Sequence, residues 1–262
     1  MNRIFFAFLT LLLTCVARAE ITVSTPVIIA RAEWGAAEAK YPIDPLPEIY
    51  RGAIHNTAGN LPLSLRAAKS EMKGLQLYHQ HEGWADIGYH FAIDGAGRIF
   101  EGRPLYLRGA HAKVENNDGN VGVALMGNFS RYQPTPAQWE SLKRLLLWLT
   151  ARYQIEPGEW KGHRDYNSPK GCPGFYVYKQ IPALRKWLAN AIKSGQQNAF
   201  VLSQDPVAQF VTQERSLAEA LSGKSAGPES LAYQAGRSYL SQPPPKKLAP
   251  AISSKKEQDF DW

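Results

Sequence analysis

Cysteine is scarce in this chain: Cys15 and Cys172 are the only two in 262 residues. A scaffold built on disulfides is therefore excluded. Long apolar runs are also scarce. Ile4 to Val16 is nearly all apolar, and no other stretch approaches the ~20 residues of a membrane-spanning helix. A polytopic membrane protein is excluded. No internal repeat is present, and the 21 glycines and 18 prolines follow no collagen-like period. Acidic residues are the minority charge, Asp+Glu 23 against Lys+Arg 30, which leaves a net charge of +7. Such a surface suits anionic partners, whether nucleic acid, acidic lipid or acidic wall polymer, without choosing among them.

The first twenty residues choose the compartment. Met1-Asn2-Arg3 carries a positive charge, an apolar stretch follows, and Ala17-Arg18-Ala19 offers small residues where a signal peptidase reads them. The expectation is a signal peptide over residues 1–19, export, and a mature chain starting at Glu20; an uncleaved anchor is the alternative. Export makes nucleic acid a weak candidate partner. It also leaves Cys172 without an intramolecular partner in an oxidising compartment, as an intermolecular bridge, a buried bystander or a metal ligand.

The texture changes near Gly195. From Ile28 to Ser194 the chain is rich in Trp, Gly and short apolar runs, roughly the size of one domain with a single core. One domain is expected over residues 20–195. Residues 196–262 read as an extension, weakly helical over 205–222, then Pro/Lys-rich around Pro243-Pro244-Pro245-Lys246-Lys247 and disordered. Within the domain, Gly52–Thr57, Tyr89–Asp94 and Arg98–Glu101 read as strands, and Val121–Met126 as a central strand buried on both faces. Thr135-Pro136-Ala137-Gln138 reads as a helix start with a capping box, ahead of Trp139, Leu142, Leu145, Leu146 and Leu149 on one face. Further helices are expected over about Leu63–His81 and Tyr178–Lys193. The fold class is mixed α/β, a central mixed sheet flanked by helices.

Six histidines remain to be sorted. His79 and His81, two apart on a helix, diverge and read as surface or groove residues. His90 neighbours Tyr89 on a strand, so only one of that pair faces a given cleft. His111 follows a strand and either packs or lines a site. His55 ends an apolar strand, and His163 opens a Pro/Gly-bounded loop that brings Cys172 back near it. Two imidazoles and a thiolate suit Zn²⁺, with a fourth position left for water. The bland alternative is scattered core histidines.

The segments Ile54-His55-Asn56-Thr57-Ala58-Gly59, Gly83-Trp84-Ala85-Asp86-Ile87-Gly88-Tyr89-His90-Phe91, Gly109-Ala110-His111-Ala112, Gly162-His163 and Cys172-Pro173-Gly174 occur in this order. Together with Arg31-Ala32-Glu33-Trp34-Gly35, they resemble the peptidoglycan recognition protein and phage-lysozyme-like amidase family over residues 28–190. The resemblance implies a mixed sheet with a groove across one face, holding a zinc site made by His55, His163 and Cys172. It implies an N-acetylmuramoyl-L-alanine amidase, cutting the bond between muramic acid and the stem peptide. Tyr89 and Lys170 take the family's catalytic positions. The nine-residue step from His163 to Cys172 is longer by one than is usual there.

Substrate contacts are expected from Gly83 and Trp84, a pair associated with diaminopimelate-type stems: glycine leaves space and indole packs the stem. His111 is a further candidate, and Arg103 can meet an extra carboxylate bidentately. The expected partner is peptidoglycan or its muropeptides. The competing class is a peptidoglycan sensor without turnover, which in this family has lost a ligand, often the cysteine; this chain has all three.

Overall fold

The computed structural model describes Val23, residues 25–166 and residues 171–194. The expected signal peptide, the C-terminal extension and Lys170 lie outside the described residues. In chain order the elements are β1 (Ile28–Ile29), α1 (Arg31–Trp34), β2 (Arg51–Asn56), α2 (Leu65–His81), β3 (Phe91–Ile93) and β4 (Ile99–Glu101). There follow β5 (Asn120–Leu125), α3 (Pro136–Tyr153), β6 (Trp160–Gly162), α4 (Phe175–Tyr178) and α5 (Ile181–Ser194).

The strands form one sheet in the order β1-β4-β3-β5-β2-β6. β3 and β4 are antiparallel, joined by the tight turn Asp94-Gly95-Ala96-Gly97, and the other neighbouring pairs are parallel. Asp94 shapes that turn: its carboxylate accepts from the N–H groups of Ala96 and Arg98 and pairs with the Arg98 guanidinium at 2.6 Å. The mixed sheet with helices on its faces is as expected. The strand expected over Tyr89–Asp94 is shorter, and Tyr89 stands just ahead of it. β1 and β6 are too short to show a periodicity in the sequence.

Large apolar residues gather on one face. Ile54, Phe91, Ile93, Val121, Val123 and Leu125 pack with Leu142, Leu145, Leu146 and Leu149 of α3 and Leu184 and Leu188 of α5. Burying each such side chain is worth about 1.5–3 kcal/mol, so most of the core energy lies here. The Thr135 side chain caps α3 by accepting from Gln138 N–H at 3.0 Å. The expected return half of the capping box is absent. Gln138 points instead into the sheet end, where its amide nitrogen donates to the Ile93 and Met126 carbonyls at 2.9 and 3.1 Å. The Met126 carbonyl lies past the end of β5 and needs a donor, whereas the Ile93 carbonyl already accepts from Met126 N–H at 2.8 Å and takes Gln138 as a second.

The other face is covered by α2 and α1. Ala68 and Met72 of α2 pack with Trp34, Ala92 and Phe100. The Arg31–Gly35 motif proves to be an anchor: Arg31 pairs with buried Asp86 at 2.8 Å, Trp34 donates to the Glu101 carbonyl, and Gly35 ends the turn at φ 73. Asp86 also accepts from Gln76 and from Ile87 N–H, which ties α2 to the loop leading into Tyr89.

Candidate metal centre

β2 and β5 run in parallel with His55 beside Ala124 and Ala53 beside Gly122. These small partners leave volume above the sheet, and His55 projects into it. β6 pairs with the other edge of β2 and delivers His163 at its end. The loop then turns back: Arg164 N–H donates to the Cys172 carbonyl at 3.0 Å, and Cys172 Sγ accepts from Asn56 N–H at 3.4 Å. A backbone bond from the histidine's neighbour, not chance proximity, thus sets the thiol beside the two rings.

One ligand atom each from His55, His163 and Cys172 lies within 4.8 Å of the others. His55 Nδ1 is 3.8 Å from Cys172 Sγ, and the His55 and His163 ring centroids are 4.5 Å apart. Tetrahedral zinc, with bonds of about 2.3 Å to sulfur and 2.0–2.1 Å to nitrogen, needs a sulfur–nitrogen separation of roughly 3.6 Å. The donor set fits that ion, and so does the His55–Cys172 separation.

The protonation states fit too. Burial, reinforced by the neighbouring His163 and His111 rings, holds His55 well below the ordinary imidazole range, so its ring is neutral and free to ligate. Burial pushes the Cys172 thiol up to about 12, against the opposing pull of Asn56 N–H and Arg164. A divalent cation would reverse that state, because a coordinating thiol is deprotonated by the ion's own charge.

Tyr89 belongs to the same cluster. Its ring lies 5.0 Å from His55 and 5.4 Å, edge-on, from His79. Burial raises its pKa far above the usual phenol range, so the hydroxyl stays protonated and can donate.

Other expected site residues fall elsewhere. Trp84 is buried and stacks on His79 at 4.5 Å, which places its indole behind Tyr89, not on an open surface against a stem. Gly83 is exposed at φ 92, a backbone conformation that favours glycine, and its carbonyl accepts from the Tyr41 hydroxyl. Arg103 corrects an expectation. Its side chain is fully buried and donates to the carbonyls of Ile87, Arg108 and Asp86 at 2.8, 2.7 and 3.1 Å. It holds the chain under Tyr89 and offers no fork to a substrate carboxylate. His111 is 5% exposed, with Nδ1 3.1 Å from His55 Nε2 and Nε2 3.2 Å from the Asn120 carbonyl oxygen. It sits behind the cluster, not at its mouth.

His79 was missed in the sequence as a site residue. It is buried, its Nδ1 accepts from Gly88 N–H at 3.1 Å, and its ring bridges Trp84 and Tyr89. His81, two residues on, is exposed. Helical phase separates them, but which of the two faces inward depends on where α2 meets the sheet.

Comparison with known proteins gives the family. A family described as N-acetylmuramoyl-L-alanine amidase matches residues 47–175. Peptidoglycan-recognition protein SC2 of Drosophila simulans is 35% identical over 164 residues, covering 62% of this chain and 88% of the relative. The amidase LysC from Clostridium intestinale superimposes with a TM-score of 0.51 at 28% identity, covering 61% of this chain and 97% of LysC. Peptidoglycan recognition protein-LE, solved in complex with tracheal cytotoxin, a monomeric diaminopimelic acid-type peptidoglycan, gives 0.56 at 26% identity, covering 60% of this chain and 92% of that one. The chain belongs to the peptidoglycan-recognition protein and type 2 amidase family.

Proposed function

We propose that this protein is an exported, zinc-dependent N-acetylmuramoyl-L-alanine amidase that hydrolyses the amide between N-acetylmuramic acid and L-alanine of the stem peptide. The observation that carries the reading is the convergence of His55, His163 and Cys172 within 4.8 Å, with the Tyr89 ring beside them. In such a site zinc supplies Lewis acidity toward the scissile carbonyl and lowers the pKa of water from 15.7 toward about 7.

The chain's own residues supply the rest. His55, His163 and Cys172 would hold the ion. Tyr89, protonated and wedged between His55 and His79, donates to the oxygen that gains charge as the amide carbon turns tetrahedral. Lys170, assigned by its motif position, adds a cationic donor at the same oxygen. The buried ring of His79, stacked on Trp84, packs edge-on against Tyr89 and holds it in place.

The substrate is peptidoglycan or its muropeptides. That the related protein-LE was solved with a diaminopimelic acid-type fragment supports this stem type, with Gly83 on the exposed rim as a contact. Among the described residues no helix is long and apolar enough to cross a membrane. The apolar leader and the small residues at Ala17 and Ala19 support cleavage after Ala19 and a periplasmic or secreted location. The competing reading is a sensor that binds without turnover, and the complete ligand set argues against it.

The test combines metal content with digestion of muropeptides, using chain that starts at Glu20 and its Cys172→Ala variant. One zinc per chain and release of free stem peptide, both lost in the variant, is the expected result. Tight binding without cleavage by zinc-loaded protein would leave the sensor.

A further inference from the structure

His55 faces two ways. Its Nδ1 lies on the Cys172 side, 3.8 Å from the sulfur, and its Nε2 lies 3.1 Å from Nδ1 of His111. On the far side of His111, Nε2 lies 3.2 Å from the carbonyl oxygen of Asn120 at the start of β5. A carbonyl can only accept, so the hydrogen of a neutral His111 ring must sit on Nε2. Its Nδ1 is then an acceptor, and the group facing it must be a donor. We propose that His111 is a positioning residue: anchored on the Asn120 carbonyl, it fixes His55 as the Nε2–H tautomer and so turns the bare Nδ1 toward the metal. The inference rests on the zinc reading above.

The surroundings fit a part made to hold one ring in one orientation. A Cβ at Gly122 would come within 2.6 Å of the His111 ring, and one at Gly109 within 2.5 Å, so two glycines leave the ring its room. The His111 backbone is pinned as well, since Asn117 Oδ1 accepts from the N–H groups of His111 and Ala112 at 2.9 Å each. With both ring nitrogens engaged and the residue buried, His111 has nothing left to offer a substrate. Metal-binding histidines generally donate their second N–H to a carboxylate, a carbonyl or water. Here the carbonyl stands one imidazole further back.

The test reads the proton positions directly. In ¹⁵N-labelled, metal-free protein, long-range ¹H–¹⁵N spectra should show hydrogen on Nε2 of both His55 and His111. In chelator-buffered competition, His111→Phe should bind zinc roughly 10–100-fold more weakly, with His55 split between tautomers, and His111→Gln, which restores an acceptor, should recover part of the loss. Hydrogen on His55 Nδ1 in the wild-type protein overturns the proposal even if the variants fail to fold. So does a His111→Phe protein that binds zinc as tightly as wild type, and in that case the zinc reading survives. Wild-type protein that takes up no zinc overturns both.

Discussion

On the α3/α5 face of the sheet, β2, β3 and β5 present Ile54, Phe91, Ile93, Val121, Val123 and Leu125, whereas on the opposite face the same strands present Ala53, His55, Ala92, Gly122 and Ala124. The first face is an ordinary apolar core, where volume and burial do the stabilising. On the second, small residues vacate the space that volume would fill, and imidazoles occupy it. Polar rings enclosed there must satisfy each other: His90 accepts from Gly122 N–H at 3.0 Å and donates to the Leu107 carbonyl at 3.0 Å, while His111 bridges His55 and Asn120. Stability is concentrated on one side so that chemistry can be housed on the other.

Acid should break this balance on the histidine side, with the largest effect expected. Burial lowers His79 to about 3 and His90 to about 4. In the unfolded chain both rings take up protons near pH 6.5, while in the folded protein they resist until far lower pH, so stability falls as the pH drops from 7 toward 4. Between pH 7 and pH 5 the loss is about 2 kcal/mol per ring, roughly 4 kcal/mol for this pair. His55 and His111 are shifted in the same direction and add to it. Urea melts of metal-free protein at the two pH values measure this. Equal stabilities would mean that the two faces do not differ in the way drawn here.

Tyr89→Phe separates chemistry from packing within the histidine face. The ring remains to fill the space between His55 and His79, so folding stability and zinc affinity should hardly change. Without the hydroxyl, kcat for stem release should fall roughly 10²–10³-fold, the usual cost of removing a donor to a developing oxyanion. Steady-state kinetics on a defined muropeptide, with chelator competition as control, would show it; an unchanged kcat would remove Tyr89 from the reaction.

How much of this was legible in the sequence follows from the same division. Capped, strongly periodic α3 announces itself, and so does the β5 run, because their burial is written in apolar residues. The ligand trio was legible in its residue types, since two histidines and a cysteine bracketing a loop suggest zinc before any fold is drawn. What could not be read is where polar side chains turn. Arg103 looks like a surface fork for a carboxylate until three backbone carbonyls claim it, and Trp84 looks like a platform until His79 covers it. His79 looks no different from His81, and His111 gives no sign of pointing at His55. Such orientations depend on pairings between distant segments, 56 residues apart for His55 and His111, which no local pattern encodes.

The smallest effect gives the sharpest contrast, because it sets adjacent residues of one strand against each other. In β5 the sequence Val121-Gly122-Val123-Ala124-Leu125 alternates in size, not polarity, and this is why it reads as a uniformly buried strand while serving two different faces. Gly122→Ala adds a methyl 2.6 Å from His111, whose ring is also closely approached by Gly109. Overpacking of this kind costs about 1–3 kcal/mol, and the displaced ring should also weaken zinc binding ~10-fold by releasing His55. Val123→Ala removes two carbons from the opposite face and should cost about 2 kcal/mol through lost burial and an unfilled cavity, with zinc affinity unchanged. The two variants should therefore lose similar stability in denaturant melts yet differ in chelator competition. If Val123→Ala weakened zinc as much as Gly122→Ala, the metal centre would depend on the sheet as a whole, and the separation of the two faces would fail.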